Sequence, residues 1–375
     1  MRAQATRGTL CIVFALLLTL ALAAAPAQAN RALITEKAVD TEKLSEGIEG
    51  ACGVAVGGGK IYVSDHYHRA IEVFETASRK FLSTISAAIA PEGPCELALD
   101  SSGALYANLY HERVVRLTPT FQIFDEDNST GVAVDSSGRV YVNDRTYVAV
   151  YETSGAPVKD KEGDPLKVGL GSLQDAYGLA VFAGRIYVPD SAEDRIEVYE
   201  PATDPLNPIA TINGSATPQH GFVSLTDSDV TVDPTNGHLL VLDNLQPGYE
   251  HPKAAIDEFD STGAFLGQLK QTVIDGEPSG LAVDPASGNL YATSGNSEEA
   301  TVFAFGPYTE AGPEAVEGSM EVSASGGMGL GPAGVDEAAV VVSGPAARSA
   351  ARAKAQQRRA RRRVRHRRAH HRTSG

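Results

Sequence analysis

The sequence predicts an all-β fold, a six-bladed β-propeller of four-stranded antiparallel blades. Three observations predict it. One strand–turn–strand unit recurs six times along the chain. The first strand of each copy is apolar on both faces, as a strand packed between two neighbouring sheets must be. The composition, with 37 Gly, no Trp and 6% aromatic residues, suits short strands joined by many tight turns.

The clearest copy runs Gly131-Val132-Ala133-Val134-Asp135-Ser136-Ser137-Gly138-Arg139-Val140-Tyr141-Val142-Asn143-Asp144 and reads as strand, Ser-Gly turn, strand. Gly53 opens another copy, answered by Ile61-Tyr62-Val63-Ser64-Asp65. In the next, Glu96 stands in the glycine's place before Leu105-Tyr106-Ala107-Asn108. Gly178 precedes Ile186-Tyr187-Val188-Pro189-Asp190, Asp229 replaces the glycine before Leu239-Leu240-Val241-Leu242-Asp243, and Gly280 precedes Leu290-Tyr291-Ala292-Thr293. Third strands are expected at 71–74, 114–117, 148–151, 196–199, 256–259 and 302–305, with weaker fourth strands at 81–85, 121–124 and 265–269. The six anchors, at 53, 96, 131, 178, 229 and 280, are spaced as four-stranded blades are. No blade buries both faces alone, so the ring must close. A strand near Ala32–Thr35 or one at Met320–Ser323 is expected to complete the last blade.

Around this propeller, assigned to 50–306, the chain changes character. Residues 1–29 read as a signal peptide: Arg2 and Arg7, an apolar run from Leu10 to Ala25, and the small-residue cleavage site Ala27-Gln28-Ala29. This predicts a secreted protein, extracellular or associated with the cell envelope, and no later segment is long enough to span a bilayer. Residues 30–49 form an N-terminal segment, 307–345 a Gly/Pro/Ala-rich linker, and 346–375 an Arg-rich tail. The net charge of −15 conceals an acidic body and this basic end. Arg358, Arg359, Arg361, Arg362, Arg363, Arg365, Arg367 and Arg368 lie close together with no acid among them. Such a tail is expected to stay disordered until an anionic partner neutralises it. A wall or surface polymer is the preferred partner; nucleic acid is not favoured, because no base-reading module accompanies the tail.

The G-[VL]-A-V-D…G-x-[VIL]-Y-V-x-D pattern of residues 50–306 resembles the NHL-repeat family, departing from it at Glu96, Asp229, Leu109 and Ser294. The resemblance implies a six-bladed ring in which the residue before each anchor, and the turn after each second strand, gather at one mouth of the central channel. The residues before the anchors are Cys52, Cys95, Thr130, Tyr177, Ser228 and Ser279. Calcium-dependent lactonase-type propellers carry Glu, Asn and Asp ligands in this ring. The absence of carboxylate and amide here argues against such a site. Glu96 and Asp229, one residue further on, belong to opposite blades; they could share an ion, but two solvated acids at a channel mouth is the preferred reading. Thr130, Tyr177, Ser228, Ser279 and Tyr110 are left as candidate ligand contacts.

Cys52 and Cys95 hold equivalent positions in adjacent blades, and an exported chain favours their pairing as a disulfide over two buried thiols or a soft-metal pair. His66, His68 and His111 sit in turns of the first two blades. Zinc takes histidines in threes, and six-bladed peptide-amidating lyases use His-bound zinc, but their motif does not align here; solvent contacts are the preferred reading. Asp65, Asp144, Asp190 and Asp243 recur, which points to carboxylates bonding backbone N–H groups rather than to catalysis. Asp125-Glu126-Asp127 imitates the start of a calcium loop, but its glycine, Gly131, comes late and Ser136 stands where a Glu is required. The preferred function is a secreted binding scaffold taking a protein, glycan or small ligand at the channel mouth, without catalytic residues or a firm cofactor. The alternative is a metal-dependent lyase or hydrolase of the six-bladed propeller type, with a divalent cation.

Overall fold

The computed structural model describes residues 28–29, 31–87, 92–245, 253–269, 274–275, 278–295 and 300–310. They form six antiparallel sheets, one per repeat. The first blade is Val54–Gly57, Lys60–Asp65, Ala70–Glu75 and Phe81–Ser86. The second is Pro94–Leu99, Leu105–Leu109, Arg113–Arg116 and Gln122–Asp125; the third is Gly131–Val134, Val140–Asn143, Val148–Tyr151 and Lys167–Val168. The fourth is Ala180–Phe182, Arg185–Asp190, Arg195–Tyr199 and Ala210–Ile212. The fifth is Val230–Val232, Leu239–Asn244, Lys253–Phe259 and Phe265–Leu269, with Ile274–Asp275 also pairing with its third strand.

The sixth blade takes three strands from the end of the repeat region, Pro278–Val283, Leu290–Ser294 and Thr301–Phe305, and its outer strand, Leu33–Thr35, from the beginning. Leu33 lies opposite Phe305 and Thr35 opposite Ala304. The other closing candidate, Met320–Ser323, lies outside the described residues, as do most of the expected signal peptide, the linker and the basic tail. Gln28–Ala29, which the sequence places at the end of the leader, pairs in parallel with Phe265–Leu269. An outer blade strand carries unpaired N–H and C=O groups and accepts any extended neighbour.

The core is divided into six parts, each lying between two adjacent blades. Side-chain alternation explains the division. In the fifth blade, Leu240 and Leu242 pack toward Leu281, Leu290 and Phe305 of the sixth, while Leu239 and Val241 pack toward Ala180 and Val198 of the fourth. The same holds around the wheel, including the seam where Val54 and Ile61 of the first blade meet Val302 and Ala304 of the sixth. Cores between first and last repeats are what a closed ring requires. The repeated tyrosines share in this packing: Tyr106, Tyr141, Tyr187 and Tyr291 are buried.

The recurrent aspartates bond backbone N–H groups as expected: Asp190 accepts that of Ala192 in the turn that follows at 3.2 Å, and the preceding loop supplies more. Asp65 accepts the Glu49 N–H at 3.0 Å, Asp190 those of Gln174 and Asp175 at 3.0 and 3.1 Å, and Asp243 those of Val223 and Ser224 at 2.8 and 3.1 Å. Each carboxylate thus clamps the segment that leads into the inner strand of its own blade. Asp144 makes no such bond.

Candidate active site at the hub

The six anchor positions pinch the channel. Four are glycines because no side chain fits: a Cβ on Gly53 would stand 2.0 Å from the Cys95 carbonyl oxygen, and one on Gly280 would stand 2.8 Å from Gly53 Cα. The remaining two anchors are acids, and their side chains lie over the glycines of the next blades. Glu96 Oε2 accepts the Val132 N–H at 3.1 Å. Asp229 accepts the Val230 N–H at 2.8 Å through Oδ1 and the Leu281 N–H at 2.7 Å through Oδ2. Blades two and five therefore present one acid each, held in matching ways by blades three and six.

The two acids are neighbours. A Cβ placed on Gly178 would meet Glu96 Oε1 at 2.8 Å, the Ser228 carbonyl oxygen at 3.0 Å and Asp229 Oδ1 at 3.1 Å. Three oxygens thus converge on one point beside an unsubstituted backbone. Asp229 is buried. Glu96 is half-buried and lines the channel. Desolvation, and for Glu96 the charge of Asp229, push both carboxyls above their ordinary range. The channel beyond them encloses about 290 Å³, walled by the inner strands through residues such as Val56, Leu99, Val134, Val181, Val232 and Val283. Glu96 and Asp229 are the titratable groups on that wall among the described residues.

At the mouth above, the structure gathers an aromatic rim. The His66 ring meets Tyr67 and Tyr110 edge-on, with centroids 5.0 and 5.6 Å apart, and Tyr110 meets His111 at 4.1 Å. Arg145 covers the Tyr177 ring at 5.3 Å and pairs with Asp175 through a 2.8 Å bond. Tyr67 and Tyr110 are exposed. Arg145 was not legible as a rim residue, because its counterparts in the other blades are His66, Tyr110, Ser191, Asn244 and Gly295 and set no pattern.

The other sequence candidates are placed as follows. Cys52 and Cys95 form a disulfide with Cα atoms 4.9 Å apart, which fixes the residue before Glu96 to the first blade. The Thr130 hydroxyl donates to the Ala176 carbonyl at 2.9 Å, and the Ser228 hydroxyl donates to the Leu242 carbonyl; both are buried and tie strands together. Ser279 is half-buried. The three histidines do not converge. His68 lies between Asp65 at 2.8 Å and Glu46 at 3.2 Å. His111 faces Asn128 at 3.1 Å. His66 stands beside the disulfide, where desolvation holds its pKa below the ordinary value.

No family model and no curated protein matches the sequence. Solved structures do match. A gluconolactonase from Xanthomonas campestris superposes with a TM-score of 0.50 at 15% identity, covering 76% of this chain and 99% of that one. A calcium-binding protein, the regucalcin of Agrobacterium tumefaciens, superposes with a TM-score of 0.50 at 14% identity, covering 73% of this chain and 94% of that one. At these identities the likeness is one of fold. It nevertheless corrects the binding-scaffold reading, because the rings that match are a lactonase and a calcium binder, and the alternative drawn from the sequence fits them better. The physical cause of the error is visible at the hub. The repeat pattern points to the residue before each anchor for carboxylates and to solvated acids at the anchors; Glu96 and Asp229 are instead drawn inward, side by side.

Proposed function

We propose that the chain is a divalent-metal-dependent hydrolase of the six-bladed propeller type, acting on a small ester or lactone at the hub. The observation that carries this reading is the cradle at Gly178, where Glu96, Asp229 and the Ser228 carbonyl bring three oxygens to one point. An all-oxygen donor set suits a hard cation such as calcium. Two adjacent carboxyls whose ionised forms are disfavoured by burial would be stabilised by its positive charge. The residues present therefore fit the group: Glu96 and Asp229 would hold it, with the Ser228 carbonyl completing the protein's share. When bound, such a cation polarises a carbonyl oxygen and lowers the pKa of water.

The chain's own residues supply the rest. The N–H groups of Val132, Val230 and Leu281 fix the carboxylates before any ligand arrives. The Cys52–Cys95 disulfide holds the Glu96 backbone. Tyr67, Tyr110 and Tyr177 offer ring faces and edges to an approaching substrate, and the channel volume of about 290 Å³ limits its size. The lactonase among the matching structures supports the choice of a cyclic ester.

The test is calcium titration and a lactone and ester panel on the purified protein with Glu96→Gln and Asp229→Asn variants. Each substitution is expected to weaken hub cation binding by at least the roughly 10–100-fold that loss of an outer-shell partner costs, and to reduce turnover with it. Turnover that survives chelation and both substitutions would overturn the reading. Export through the leader, and retention on an anionic envelope polymer by the arginine tail, are proposed with it. A protein ending at Gly344 should be released from the envelope, and unchanged retention would refute that part.

A further inference from the structure

Asp144 breaks the pattern that its counterparts keep. Asp65, Asp190 and Asp243 each accept backbone N–H groups from the loop upstream of the inner strand. Asp144 holds the same place in the third blade, directly after Val140–Asn143. It is 8% exposed, and both its carboxylate oxygens are buried without a hydrogen-bond partner. Four residues before their anchors, Glu49 and Gln174 offer an N–H to this position. In the third blade that residue is Asp127, whose N–H turns to Asp125 Oδ1 at 2.7 Å.

Asp144 therefore meets carboxylates instead of donors. Oxygens of Asp125, Asp127 and Asp144 lie within 4.8 Å of one another. The Tyr151 hydroxyl donates to Asp125, and the Tyr147 hydroxyl, near both other acids, is directed at Asp127 at 3.3 Å. The neighbouring cation, Lys167, rests over the Tyr147 ring, 4.1 Å from its centroid. Burial first, then the charges of Asp125 and Asp127, push Asp144 up to about 8, with Tyr147 and Lys167 offsetting this only in part. A buried carboxylate with no donor, facing two others, is costly unless a cation joins them.

We propose that Asp125, Asp127 and Asp144 bind a calcium ion at the seam between the second and third blades, a site separate from the hub. The donors are oxygens only, which selects a hard cation. Asp125 ends a strand, Asp127 lies in the loop after it and Asp144 opens a turn, an uneven donor set that suits the variable coordination of calcium better than the strict octahedron of magnesium. The sequence conceals this site because its third carboxylate comes from the following hairpin, beyond the reach of a twelve-residue loop pattern.

The experiment is calcium titration of four chelator-treated proteins: the unsubstituted chain, Glu96→Gln/Asp229→Asn, Asp144→Asn, and all three substitutions together. The hub variant should retain one calcium per chain, with a thermal midpoint raised by about 5 °C at saturating calcium; adding Asp144→Asn should remove both effects. Terbium luminescence excited through Tyr147 and Tyr151 in the hub variant should be displaced by calcium. This readout needs no change at Asp144. Absence of both calcium and terbium binding in the hub variant overturns the seam site, as does retention of both after Asp144→Asn. Failure of the hub reading looks different: the unsubstituted chain then binds one calcium, lost with Asp144→Asn and unaffected by the hub substitutions.

Discussion

Asp257 shows what an uncompensated charge does in this molecule. It lies on the third strand of the fifth blade with no exposed surface. One oxygen accepts the Gln268 amide at 2.9 Å, and the other has no partner. Burial raises its pKa from 3.8 to about 7. The folded state therefore binds a proton that the unfolded state has released between these two values. The stabilisation is complete below about pH 4 and is lost as pH rises through 7. Asp243, raised to about 6, acts in the same direction. Asp257→Asn is expected to stabilise the protein at pH 8 relative to pH 5 by on the order of 2 kcal/mol, measured by denaturant midpoints at both values. An equal pH response in parent and variant would refute this assignment. Residue chemistry of this kind was the least legible part of the sequence. Glu96 and Asp229 stood out as substitutions in a glycine pattern, but only the constriction at the anchors shows why they turn inward.

Strands were the most legible part, for a physical reason. An inner strand between two sheets must be apolar on both faces, so Val54, Ala55 and Val56 or Leu281, Ala282 and Val283 announce themselves without alternation. Second strands alternate between two apolar environments instead of between core and solvent, as Leu239 to Leu242 do. Outer strands read weakly because they are partly exposed: Phe81–Ser86 is largely open to solvent, and Lys167–Val168 and Ala210–Ile212 are short. The disulfide was legible at the same scale. Equivalent places in adjacent blades fall near each other in any ring, and Cys52 and Cys95 occupy such places. The bonds of the recurrent aspartates to the preceding loop were not legible, since spacing along the chain shows only the turn that follows.

The whole ring depends on a join between residues far apart in sequence. Leu33–Thr35 completes the sixth blade, and Arg31, just before it, is buried among the fifth and sixth blades. Its guanidinium reaches Asp233 at 2.5 Å, Glu258 at 3.1 Å and the Gly288 carbonyl at 2.9 Å. Removing Arg31 would take the buried cation from two buried carboxylates, leaving Asp233 to Thr235 and Glu258 to His238. Arg31→Ala is expected to cost about 3–5 kcal/mol, read as a lower thermal midpoint, and Asp233→Asn/Glu258→Gln in the same background should recover part of it. An unchanged midpoint would show that the join does not limit stability.

That join also sets an order on assembly. The first piece of the wheel to leave the ribosome is the last that can be seated, because its partner, Thr301–Phe305, is made at the far end of the domain. A nascent chain stopped short of Thr301 can offer Arg31 its carboxylates but leaves Leu33–Thr35 without its strand partner. Closure of the circle therefore waits for the end of the repeat region to be made.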